Sequence, residues 1–148
     1  MRLTHRTLRI KAKPMDFCYP VKNEMIAGNM LAMMDRSNGI GLSATQIGLT
    51  HRIFVMRVHG RERICINPEI IKSSDVLAEY DEGCLSFPGD QCTITRPDWV
   101  NVRYYTPQGE KIEDCLVGLE ARCFQHELDH LNGITMWDRH KEQNAKQS

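Results

Sequence analysis

Gln125-His126-Glu127-Leu128-Asp129-His130-Leu131, closed by Asn132-Gly133, is the stretch on which the reading of this chain turns. Successive residues of an α-helix are about 100° apart, so His126 and His130 stand one turn apart on one face. Both imidazoles can reach one cation from there, and Glu127 beside them can reach a water at that cation. This is the H-E-x-x-H arrangement, two ligands plus a carboxylate that moves protons for the water. The plainer alternative is a helix that carries two histidines, one of them buried and hydrogen-bonded. Extended back to Gly118, the helix sorts by face. Leu119, Cys123, His126, Glu127 and His130 share a sector of roughly 100°. Ala121, Phe124, Leu128 and Leu131 lie opposite, and Arg122, Gln125, Asp129 and Asn132 form a polar strip between. A helix apolar on two sides is expected between layers, as a central and rigid element. Gly133 after Asn132 marks its C-cap.

The chain has 148 residues, enough for one domain with a proper core, and residues 1–148 are read as one domain. The formal net charge is zero, which gives no basis for bulk binding to nucleic acid or to an anionic membrane. No apolar run is long enough to span a bilayer. Met1-Arg2-Leu3-Thr4-His5-Arg6 is basic but is followed by no apolar segment, so no secretory signal is expected. The six cysteines (18, 65, 84, 92, 115 and 123) include no C-x-x-C pair. Without an export signal they read as reduced thiols in a cytosolic compartment, with at least one free to bind metal.

Residues 1–20 read as a lead-in packed on the surface. Val21 to Ser37 has helical spacing, with Val21, Met25, Ile26, Met30, Met33 and Met34 as a core-facing stripe, and Asn38-Gly39 ends it. Gly39 to Gly48 then predicts a tight loop whose backbone closely approaches something else. It lacks the lysine of a phosphate-binding loop and follows a helix rather than a strand. His51 to Val58 and Arg63 to Ile66 read as a hairpin about Gly60; Asn67-Pro68 breaks the pattern; Glu69 to Ile71 and Val76 to Tyr80 are short strands. Cys84 sits in the Gly/Pro-bounded stretch Asp81 to Gly89. It is a candidate third ligand, although composition alone favours a buried structural thiol. Cys92 to Arg96, Trp99 to Thr106 and Lys111 to Val117 alternate like strands, with Pro107-Gln108-Gly109 as a turn. Ile134 to Trp137 predicts a last short strand, and the polar, aperiodic segment 138–148 a frayed tail. The class is α+β, mostly antiparallel short-stranded sheets around a central metal-binding helix.

Three motifs in this order resemble one family, peptide deformylase. Its G-x-G-L-A-A-x-Q stands at Gly39 to Gln46, its E-G-C-L-S at Glu82 to Ser86, and its Q-H-E-x-D-H-L at Gln125 to Leu131. The resemblance runs from about Val21 to Gly133. Ser43 departs from it where the family usually has alanine. Gln91 stands where many relatives have an arginine near the pocket rim. The tail after Gly133 is short, as in members encoded by phages or found in organelles.

The resemblance implies a metal-dependent hydrolase that removes the N-formyl group from the formyl-methionine of newly made polypeptides and releases formate. It implies Cys84, His126 and His130 as metal ligands, Glu127 as proton acceptor, and the Gln46 amide with the Leu85 N–H as donors to the developing oxyanion. It implies Gly39, Ile40, Gly41, Glu82 and Gly83 at the substrate, and Tyr80, Leu119, the stem of Arg122 and Cys123 as the slot for the methionine side chain. Arg96 and Asp129 are expected to pair and pin the helix to a sheet. The cofactor implied is one divalent cation per chain, Fe2+ in most relatives, with Zn2+, Ni2+ or Co2+ also able to fill the ligand set. The implied setting is a monomer in the cytosol of a bacterium, or of the host if phage-encoded. It would act on N-formyl-methionyl peptides, with a transient ribosome contact, no membrane and no specific nucleic acid.

Two other classes fit part of the pattern. A zinc endopeptidase of the H-E-x-x-H type takes its third ligand downstream of the helix, where this chain has only His140 and Glu142; Cys84 lies upstream. A structural metal site wants a fourth protein ligand, and Glu127 beside an open position argues for catalysis instead.

Overall fold

The computed structural model describes residues 2–147. In chain order the elements are α1 (Pro20–Arg36), β1 (Gly41–Ser43), a 3-10 turn (Ala44–Ile47), β2 (Ile53–Val58), β3 (Arg61–Ser73), β4 (Leu77–Cys84), β5 (Phe87–Pro97), β6 (Trp99–Tyr105), β7 (Lys111–Val117), α2 (Gly118–Leu131) and α3 (Met136–Gln147). One sheet has the strand order β1-β2-β3-β6-β7, and a second consists of β4 and β5; each pairing between these strands is antiparallel. This is the α+β class read from the sequence.

Alternation along β2 explains how two helices share one sheet. Successive strand residues point to opposite faces. Ile53 and Val55 pack with Met30, Met33 and Met34 of α1. Phe54, Met56 and Val58 pack with Ala121, Cys123, Phe124 and Leu131 of α2. Phe54 and Phe124 meet edge to face at 5.0 Å, a favoured aromatic geometry. The helix that carries the H-E-x-x-H motif is thus clamped on the main sheet, as its two apolar sides predict.

Four sequence expectations need correction. Within α1 the buried face is Asn23, Ala27, Met30, Met33 and Met34. Val21 and Met25 are exposed instead, because at about 100° per residue they fall on the far side of that face. Asn67-Pro68 does not end the strand: β3 runs through it. Asn67 adopts a left-handed φ of 49° and the ladder shifts register between Ile66 and Glu69, so a bulge absorbs the proline. The Asn67 amide secures the bend, accepting from the Met15 N–H at 2.8 Å and donating to its carbonyl at 3.0 Å. Gly39 to Gly48 is not wholly loop, since β1 and the 3-10 turn occupy most of it.

The fourth correction is the tail. Neither a strand at 134–137 nor a frayed segment over 138–147 is found; Met136–Gln147 is a helix, and the end of the expected tail at 148 lies outside the described residues. Thr135 and Asp138 cap it reciprocally, the Thr135 N–H donating to the Asp138 carboxylate at 2.7 Å and the Asp138 N–H to the Thr135 hydroxyl at 3.3 Å. Met136 is fully buried with Cys92 and Ile94. The Gln143 side chain bonds both backbone groups of Thr95, at 2.9 and 2.8 Å, and Arg139 grips Asp129 of α2 at 3.0 and 2.8 Å. A few directed polar contacts hold this helix, and they leave no hydrophobic periodicity in the sequence.

Candidate metal centre

Three pieces of chain converge at one point. β4 delivers Cys84 at the turn into β5, α2 delivers His126, Glu127 and His130, and β1 with its following turn delivers Gly41, Ser43 and Gln46. The ligand atoms of Cys84, His126 and His130 all lie within 4.8 Å of one another. The Cys84 Sγ is 3.2 Å from the His130 Nε2. His126 and His130 lie edge to face at 4.9 Å, as two rings one helical turn apart must when they aim at a shared point. Among the described residues this is the one group of three or more such side chains so placed.

The donor set fits a divalent cation. One thiol and two imidazoles make three protein ligands and leave a fourth tetrahedral position free. The Nδ1 of His126 lies 2.8 Å from the Glu82 Oε1, which leaves its Nε2 for the ligand set and orients the ring. Burial opposes a proton on His126, yet Cys84 and Glu82 raise its pKa to about 10. His130 goes the other way, lowered to about 3 by burial and by neighbouring His126. Its Nδ1 is buried without a partner among the described residues.

Behind the ligands lies an ion cluster centred on Glu82. Arg96 donates to it through Nε at 2.6 Å and Nη2 at 2.9 Å, and Arg122 donates through Nη1. Burial alone would raise the Glu82 carboxyl, but His126 and Arg96 hold it at about 2. Arg96 also reaches Asp129 at 2.8 Å, the contact expected between these two residues. Each arginine in the cluster therefore links the small sheet to α2 or to the strand opposite.

Glu127 is fully buried, and burial raises its carboxyl above the ordinary carboxylate value. Its Oε1 accepts from the Ser43 hydroxyl at 2.9 Å. A Cβ built at Gly41 would come within 2.6 Å of the Glu127 Oε2 and 2.9 Å of the Cys123 Sγ. One at Gly39 would meet Leu85 at 2.6 Å. The close backbone approach expected of this glycine-containing segment thus has definite targets, the carboxylate and the residue after the cysteine. Gln46 accepts the Ser43 N–H at its Oε1 (2.8 Å), so its Nε2 points at the Cys84 Sγ (3.4 Å) and the Ser86 hydroxyl (3.0 Å).

A cavity of about 610 Å³ opens over these groups. Of the residues expected at a substrate, Gly39, Ile40, Gly41, Gly83, Leu119, Arg122 and Cys123 line it, above Gln46, Cys84, Leu85, His126 and Glu127. Tyr80 and Glu82 do not. Tyr80 is half exposed and stacks on the Arg122 guanidinium, 4.7 Å from ring centre to Cζ. Glu82 is turned into the ion cluster. Sequence reading missed that role, and it missed Arg139 as the second partner of Asp129. One signal was available for Glu82: residues two apart on a strand share a face, so a carboxylate two before the cysteine can stand behind the ligands.

Comparison with known proteins gives a consistent result. Residues 1–146 match the family model described as polypeptide deformylase. The chain is 46% identical over 121 residues to a peptide deformylase of Natranaerobius thermophilus, covering 80% of this chain and 77% of that one. It is 42% identical over 134 residues to a peptide deformylase of Thermotoga neapolitana, covering 90% and 81%. Among solved structures it superposes on the peptide deformylase of Thermotoga maritima with a TM-score of 0.89 at 38% identity, over 93% of this chain and 95% of that one.

Proposed function

The chain belongs to the peptide deformylase family, and from that premise we propose how its own residues remove the N-formyl group from the formyl-methionine of a new polypeptide, releasing formate. The observation that carries the reading is the convergence of Cys84, His126 and His130 beside one cavity that Cys84, His126, Glu127 and Gln46 line. Cys84, His126 and His130 would hold the cation. A divalent cation bound there supplies a Lewis acid toward the formyl carbonyl and toward water. Glu127 takes the proton of the attacking water at its carboxylate and passes it to the leaving amine. The Gln46 Nε2 and the Leu85 N–H donate to the formyl oxygen as negative charge grows there. Gly39, Ile40, Gly41 and Gly83 flank the peptide backbone. Leu119, Cys123 and the stem of Arg122 form the slot for the methionine side chain. Formyl carries only hydrogen beyond its carbonyl, so close walls around the reacting carbon exclude larger acyl groups.

The working metal in this reading is Fe2+, as the family resemblance implies; Zn2+, Ni2+ and Co2+ suit the same sulfur and nitrogen donors. The enzyme acts as a cytosolic monomer on peptides as they leave the ribosome, with a transient contact there. No helix among the described residues is long and apolar enough to cross a membrane. The test is formate release from formyl-Met-Ala-Ser by anaerobically prepared, metal-loaded protein. Formate at a steady turnover is expected; bound metal without formate would leave a structural metal site as the better reading.

A further inference from the structure

We propose that Ser43 is a positioning residue for the proton transfer: its hydroxyl fixes the Glu127 carboxylate so that one oxygen is held and the other is left for the reacting water. This rests on the deformylase reading of the site. Ser43 is completely buried. Its Oγ lies 2.9 Å from two acceptors of Glu127, the backbone carbonyl and the carboxylate Oε1. A hydroxyl has one proton to give. The carbonyl sits in the last turns of α2, where the helix supplies its own N–H donor. The ionised oxygen is the stronger acceptor of the two, so the carboxylate takes the proton.

The arrangement extends along β1. Gly41 and Ser43 are two apart and so face the same way, toward α2. Gly41 leaves a gap that the Glu127 Oε2 fills, since a Cβ there would be 2.6 Å away. Ser43 supplies the donor for Oε1. One strand face therefore offers room for one carboxylate oxygen and a hydrogen bond for the other. The backbone N–H of Ser43 meanwhile donates to the Gln46 Oε1 at 2.8 Å, which turns the Gln46 amide toward Cys84. A single residue thus sets both the proton acceptor and the amide donor of the proposed reaction. The hydroxyl is this chain's departure from the alanine that the resembling motif usually has.

A plain tether between β1 and α2 would use the same bond to the carbonyl, and kinetics separate the two roles. The variants are Ser43→Ala, Glu127→Asp and the double variant, each loaded with nickel, with kcat and KM for formyl-Met-Ala-Ser and Tm measured alongside. Ser43→Ala is expected to lower kcat about tenfold with KM within about twofold. In the Glu127→Asp background the shorter carboxylate no longer reaches the hydroxyl, and Ser43→Ala is then expected to change kcat by less than about twofold. A Ser43→Ala kcat near wild type overturns the role. So does an equal fold loss in both backgrounds, or a fall in Tm with kcat retained. A wild-type chain that releases no formate overturns the deformylase reading together with this role, whereas an active wild type with an indifferent Ser43→Ala overturns this role alone.

Discussion

Replacing Glu82 by glutamine keeps the shape of the side chain and removes the charge at the centre of the ion cluster. The consequences follow from its partners. Arg96 and Arg122 both donate to Glu82, and the side chains are 6%, 7% and 4% exposed, in the order Arg96, Arg122, Glu82. After the change Arg96 keeps Asp129 at 2.8 Å, and Arg122 keeps only carbonyl acceptors, Ile94 at 3.0 Å and Ala78 at 2.7 Å. Breaking a buried pair from one side costs about 3–5 kcal/mol, chiefly from the charge left behind. With one arginine still compensated, the lower end applies, and about 3 kcal/mol in a domain of this size lowers Tm by about 6–12 °C. His126 loses its anionic partner at the same time, which weakens metal binding by about 10–100-fold. Thermal unfolding of the metal-free protein reads the first effect, and competition for zinc against a chromophoric chelator reads the second. Asp129→Asn is the control: it acts on Arg96 without touching His126, so it should lower Tm and leave zinc affinity near wild type. Glu82→Gln protein with wild-type Tm and wild-type zinc affinity would refute the hub assignment.

Glu127→Gln should retain its metal by elemental analysis while kcat falls by about 10²–10⁴, since an amide cannot accept the proton; turnover near wild type would remove Glu127 from the mechanism. Gln46→Leu should lower kcat on the order of 10²–10³ with a smaller change in KM, and a rise in KM alone would reassign Gln46 to ground-state binding. Met136→Ala should destabilise the fold by about 2–5 kcal/mol in denaturant titration, as for a fully buried methionine; an unchanged stability would refute its packing with Cys92 and Ile94. Protein handled in air should contain mostly zinc or nickel, and its iron form should lose kcat/KM on exposure to oxygen through the metal or the Cys84 thiolate; an air-stable iron form, or a zinc form equally fast, would make zinc the simpler working metal.

The parts of the molecule legible in the sequence were those written as periodicity or fixed spacing. His126 and His130 announce themselves because a helix turns a spacing of four into a shared face, and β6 and β7 of the main sheet announce themselves through alternation. What escaped was written in single contacts. The run after Gly133 lacks apolar periodicity; its helix signal is only the Thr135-x-x-Asp138 capping spacing, while Arg139 and Gln143 act through individual hydrogen bonds to partners elsewhere in the chain. The proline at 68 argues against a strand, and only the left-handed Asn67 and the register shift reconcile it with one. Glu82 looked like a residue of the substrate site because it stands in the motif beside the cysteine. Its true neighbours, Arg96 and Arg122, lie on β5 and α2; spacing within the motif hints at a place behind Cys84 but does not name those partners.

The division of the strands into two sheets reaches beyond geometry. Cys84 belongs to the β4–β5 hairpin, and both histidines belong to a helix docked on the other sheet. A two-stranded hairpin is marginal by itself in water, so the ligand trio exists only while hairpin and helix are joined. Cation binding and hairpin docking are therefore one linked equilibrium. Each increment of free metal above its dissociation constant weights the docked form by mass action. The supply of metal in the surrounding solution would thereby help set the fraction of molecules in which this hairpin is docked.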